Sequence, residues 1–90
     1  MSLTLVRSTE IEPAMGGSVV YAAMLDGVRV GWVGDERPWR GWRYGGRRWY
    51  ASRSEPGQTW ARWNGDNGTW PTRAAALAAL EQAIATGAVS

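Results

Sequence analysis

The 90-residue chain predicts an α+β fold: a small antiparallel sheet in the order β-β-β-β-α, with room for an extra N-terminal strand, and one C-terminal helix packed on it. Three observations predict it. Asp26-Gly27 lies between two β-rich runs, Arg48–Arg53 and Thr59–Asn64 alternate in side-chain character, and Arg73–Thr86 is rich in Ala and Leu at helical spacing. The whole of 1–90 reads as one domain, large enough to fold alone, with 1–18 as a loose N-terminal segment.

Within that segment Leu3–Arg7 is a short candidate strand, and Ser8–Ser18, with Pro13, Gly16 and Gly17, is a loop. In Val19–Val33 the Asp-Gly pair is a strong hairpin signal, because a type I′ turn needs positive φ at both central residues. A two-residue loop sets the register: Leu25 opposite Val28, Ala23 opposite Val30 and Tyr21 opposite Trp32, all on one face. Val20, Ala22, Met24, Arg29, Gly31 and Val33 form the other face. Both are apolar enough to want cover, which a homodimer contact through this hairpin or the N-terminal strand would supply.

Gly34–Gly46 contains four glycines and a proline and reads as a long connection. The two strands that follow, joined by Ser54–Gln58, segregate by chemistry when Arg53 is set opposite Thr59. One face then carries Trp49, Ala51, Ala61 and Trp63; the other carries Arg48, Tyr50, Ser52, Trp60, Arg62 and Asn64. Gly65–Gly68 is a turn. Thr72 is the expected N-cap of the helix Arg73–Thr86 and Gly87 its stop, with Ala76, Leu77, Leu80, Ala83 and Ile84 on the side that covers Trp49 and Trp63.

Composition excludes several function classes. There is no Cys and no His, which removes thiol chemistry, disulfides and nearly all zinc, haem or copper sites. The nearest carboxylate pairs, Asp35-Glu36 and Glu10/Glu12, do not make a two-acid site, because adjacent strand residues point to opposite faces. Asp66-Asn67-Gly68 lacks the further ligands of a calcium loop, and Gly16-Gly17 and Gly45-Gly46 lack the Lys and Ser/Thr of a phosphate loop. Neither an enzyme nor a cofactor is expected. No apolar run approaches the roughly 20 residues of a spanning helix, and the start lacks the basic and apolar blocks of a secretory signal. A cytoplasmic protein with no membrane partner is the expectation.

The informative segment is Arg37–Arg53, RPWRGWRYGGRRWYASR, with arginines at 37, 40, 43, 47, 48 and 53, tryptophans at 39, 42 and 49, tyrosines at 44 and 50, and no acid. Guanidinium planes fork onto phosphates and stack on rings, and Trp and Tyr offer flat apolar faces with a polar tip. Interleaved, they suit a polyanion that also carries stackable groups. Trp32, Trp49 and Trp63 are expected in the core. One small helix cannot hide all seven tryptophans, so some of Trp39, Trp42, Trp60 and Trp70 must reach the surface. All ten basic residues are Arg, as a GC-rich coding sequence yields, and net charge is only +2, so the basic character is local. The candidate contact residues are Arg37, Trp39, Arg40, Trp42, Arg43, Arg47, Arg48, Tyr50, Trp60 and Arg62. Their expected partner is nucleic acid, DNA above all. The alternative is an acidic protein surface, as a small phage- or plasmid-type regulator or inhibitor would bind, since Trp and Arg also dominate protein hot spots.

The tail Trp60–Ala83, WARWNGDNGTWPTRAAALAALEQA, resembles the last strand and helix of small DNA-binding domains built from a three-stranded sheet and a helix, such as the arm-binding domains of phage integrases and the AP2-like type. Those families lay their sheet into the major groove. The resemblance implies sheet-face contacts at Arg48, Tyr50, Trp60 and Arg62. A second likeness is to choline-binding cell-wall repeats, on GWRYGGRRWY at 41–50 and WNGDNGTW at 63–70. It implies an aromatic cage for a quaternary ammonium, a cation that the surrounding arginines would repel.

Overall fold

The computed structural model describes residues 2–11, 13, 16–37, 40–53 and 69–86. They form a four-stranded antiparallel meander, β1 (Thr4–Ser8), β2 (Val20–Leu25), β3 (Val28–Glu36) and β4 (Arg48–Ser52), in the order β1-β2-β3-β4, followed by one helix, α1 (Arg73–Thr86). The expected strand Thr59–Asn64, with Trp60, Arg62 and Trp63, lies outside the described residues, as do Trp39 and the expected helix stop at Gly87. No helix among the described residues is long and apolar enough to cross a membrane.

The β2–β3 hairpin turns at Asp26-Gly27 with φ of 52° and 80°, the positive pair that a type I′ turn requires. Pairing begins as expected, with Leu25 opposite Val28 and Met24 opposite Arg29. It then slips: Ala23 faces Gly31 and Tyr21 faces Val33, so Val30 is the extra residue of a β-bulge. Because side chains alternate with period two, one inserted residue exchanges the faces of everything beyond it. Trp32, expected on one face with Ala23 and Leu25, therefore lies on the other, and Val33 joins Tyr21 and Ala23 on the helix side.

The bulge also brings Gly31 under the helix, where Leu80 comes so near that a Cβ on residue 31 would lie 3.1 Å from both of its terminal carbons. The core cluster contains Leu3, Val19, Ala23, Val33, Trp49, Ala76 and Leu80, with Leu5, Tyr21, Leu25, Ala51, Leu77 and Ile84 packed against it. Helix α1 starts as predicted: Thr72 Oγ1 accepts from the Ala75 N–H at 3.1 Å. Its buried stripe is Ala76 and Leu80.

The expected loose N-terminal segment is in part a strand. β1 pairs with β2 from Thr4–Met24 to Ser8–Val20, and the Leu3 N–H donates to a Glu81 carboxylate oxygen at 3.0 Å, tying the start of the chain to the helix. The expected long connection from Gly34 also shrinks, because β3 continues through Glu36, with Asp35 opposite Trp49 and Glu36 opposite Arg48. The sheet face away from the helix is closed over β4 and the latter half of β3, while Val6 of β1 stays exposed on it. Val20, Trp32, Glu36, Tyr50 and Ser52 are buried there, and the Tyr50 phenol lies across Gly34 in space that a Cβ would take.

Candidate nucleic-acid interface

An antiparallel meander gathers alternate strand ends. Here the end of β1, the start of β2, the end of β3 and the start of β4 lie together, as the pairs Ser8–Val20, Val20–Gly34 and Glu36–Arg48 require. The helix starts at the same end: the Arg73 guanidinium donates to the Tyr21 hydroxyl at 3.0 Å and lies 5.1 Å from the centre of its ring. Arg37, Arg40, Arg43, Arg47, Arg48 and Arg73 thus belong to one pole of the domain, although Arg73 is distant in sequence.

The described acids divide between the two ends, and those at the basic end are mostly buried. Asp26 occupies the far hairpin turn and Glu81 lies toward the end of α1, against Leu3. Asp35 and Glu36 sit at the basic pole but are buried, so Glu10 is the one exposed acid near it among the described residues. Among the described residues, solvent at this pole meets guanidinium groups with little carboxylate between them.

Asp35 organises the pole from inside. It is 1% exposed, and Oδ1 accepts from the N–H groups of Ser18 (2.7 Å) and Val19 (2.9 Å), while Oδ2 accepts from Ser18 Oγ (2.9 Å) and Arg47 Nε (2.8 Å). Burial by itself would raise its pKa. The donors from Ser18, Val19 and Arg47 outweigh that and hold the carboxyl below the ordinary carboxylate value. The same contacts pin the loop before β2 and the segment before β4 to the end of β3.

Arg47 is held on two sides, by Asp35 at Nε and by the Trp49 ring, whose centre is 4.4 Å from its Cζ. Its side chain is still 42% exposed. A guanidinium with one edge on a buried acid and one face on a ring has lost most of its rotamer freedom before any ligand arrives, which lowers the ordering cost of binding an anion.

Between β3 and β4 the chain makes a tight turn in which the Arg40 N–H donates to the Arg43 carbonyl at 2.8 Å, with Gly41 at a φ of 95°. Trp42 stands on this turn, 73% exposed, with the Arg43 guanidinium 4.6 Å from the centre of its ring. Tyr44 is half-exposed and packs beside Gly16 and Arg37. Arg37, Arg40 and Arg43 are exposed.

Two of the predicted contact residues have other work. Tyr50 is fully buried and not presented to a ligand. Arg48 donates from Nε to Thr69 Oγ1 and from Nη2 to the Thr69 carbonyl, both at 3.1 Å, holding the segment whose Trp70 pairs with Trp49 beside β4. Both would face outward if the Trp49/Ala51 face alone were covered; at β4 Tyr50 and Ser52 on the other face are buried as well. Trp39, Trp60 and Arg62 lie outside the described residues.

Asp35, Ser18, Arg73 and Tyr21 were not legible as site residues. Parity along β3 could have marked Asp35, a carboxylate in phase with Val33, but only once the bulge at Val30 is known. Compared with known protein families, with curated proteins and with solved structures, the chain matches none.

Proposed function

We propose that this protein binds nucleic acid, without catalysis, through the basic pole of its sheet, with Arg37, Arg40, Arg43 and Arg47 meeting phosphates. The observation that supports this best is the clustering of exposed arginines around an exposed tryptophan where the neighbouring acids, Asp35 and Glu36, are buried. Phosphate neutralisation by arginine releases condensed counterions, so affinity would come mainly from salt-sensitive, sequence-independent contacts. Base specificity has no equivalent support: the contacts that the integrase-like resemblance implies at Arg48 and Tyr50 fall on a tethered and a buried side chain.

Titration of a fluorescent oligonucleotide across a series of salt concentrations tests this. Binding should weaken with a log–log slope of about −0.9 for each phosphate contact on duplex DNA, or about −0.7 on a single strand. Replacing Arg37 and Arg40 together by Gln should make the slope shallower by about two contacts' worth. If no oligonucleotide binds at low salt, the pole is better assigned to an acidic protein surface.

A further inference from the structure

Resting on that reading, we infer that the nucleic acid is taken as a single strand, with an unstacked base laid on the free face of Trp42. Trp42 is the most exposed of the large apolar residues among those described, and its place on the turn is set by the Gly41 conformation and the Arg40–Arg43 bond rather than by burial of its ring. The Arg43 guanidinium covers one face at 4.6 Å, which leaves the opposite face to solvent. A ring backed by a cation and open on its other side is half of a stack; a base completes it, and the cation then also serves the adjoining phosphate.

Duplex DNA meets this surface poorly. Its bases are already stacked on one another, and its major groove is read by an inserted helix or two-stranded ribbon. Among the described residues β3 and β4 offer no such ribbon face, because α1 covers one side and the residues on the other, Trp32, Tyr50 and Ser52, are buried. What protrudes instead is a turn bearing a ring. Tyr44, two residues on and half-exposed, offers a second ring along the strand's path.

The test uses the full chain and three labelled oligonucleotides of equal length, oligo-dT, oligo-U and a mixed-sequence duplex, read by fluorescence anisotropy at one ionic strength. At least one single strand should bind more tightly than the duplex, and comparing the two separates DNA from RNA as the source of the strand. Trp42→Ala should weaken single-strand binding by about 5- to 150-fold while leaving its salt slope unchanged, and Trp42→Phe should recover much of the loss. Trp42 is on the surface, so both variants should keep the wild-type circular dichroism. If the duplex binds at least as tightly as both single strands, or if Trp42→Ala leaves single-strand affinity intact, the inference fails while the phosphate-binding reading stands. If none of the three oligonucleotides binds, both fail.

Discussion

Asp35→Asn is the substitution that asks most of the structure. The two side chains have the same shape, so packing at this buried site is preserved. Asn can keep its oxygen toward the Ser18 and Val19 N–H groups, bonded in the wild type at 2.7 and 2.9 Å, but as a neutral acceptor. Its amide would then face Ser18 Oγ, which can rotate to accept, and Arg47 Nε, which cannot. Net hydrogen bonds to a charged group contribute about 1.5–3 kcal/mol against about 1 kcal/mol for neutral ones, so two weakened bonds cost on the order of 1–4 kcal/mol. Losing the Arg47 pair adds no more than about 1 kcal/mol, because that side chain is 42% exposed, and the lower desolvation of an amide returns part of the total. A net loss of about 2 kcal/mol is expected. Arg47→Ala should stay within about 1 kcal/mol.

Acid provides the second signature. The folded-state pKa of Asp35 is depressed, so its contribution is complete above the ordinary carboxylate value of about 3.9 and is lost as pH falls from there through the folded value. Urea unfolding followed by circular dichroism at pH 7, 5 and 3 should show the gap between wild type and Asp35→Asn constant at the two higher values and narrower at the lowest. A variant within about 0.5 kcal/mol of wild type at pH 7, with no pH dependence of the difference, would refute the assignment of Asp35 as the ionised hub of this end of the sheet.

Leu80→Ala removes a side chain that is 2% exposed and seated on Gly31, and should cost about 2–5 kcal/mol in urea denaturation; a loss below about 1 kcal/mol would mean that the helix is not docked there. Gly27→Val meets no atom within 4 Å, so its cost, about 1–3 kcal/mol, should come from forcing a β-branched residue to a φ near 80°. Gly27→Asn tolerates that region and should lower the melting temperature much less; equal losses for Val and Asn would contradict the turn.

Local chemistry was enough for the hairpin turn, for the helix from Arg73 to Thr86 and for its Thr72 cap, because each depends on a few neighbouring residues: positive φ at an Asp-Gly pair, Ala and Leu at helical spacing, a hydroxyl facing a free N–H. Trp32 and Trp49 are buried and Trp42 exposed, as crowding of seven tryptophans in a small domain implied. The register beyond Arg29 was not legible. A bulge changes parity, and although Gly31 inside the strand is a cue to one, Val30-Gly31-Trp32-Val33 reads equally well in either phase.

By its sequence alone this chain determined an α+β domain with one strongly basic, aromatic, acid-free segment, since those properties belong to residue types and their order. Only the tertiary structure decided which of those residues reach solvent. Pairing β3 with β4 buries Tyr50 against Gly34, docking of the Thr69-Trp70 segment occupies Arg48, and capping of the Asp35 carboxylate by Ser18 and Val19 hides a negative charge while fixing Arg47 beside it. Each of these joins residues from different strands or loops. Exposure and charge at a surface depend on such long-range contacts, and a linear reading of neighbours contains no term for them.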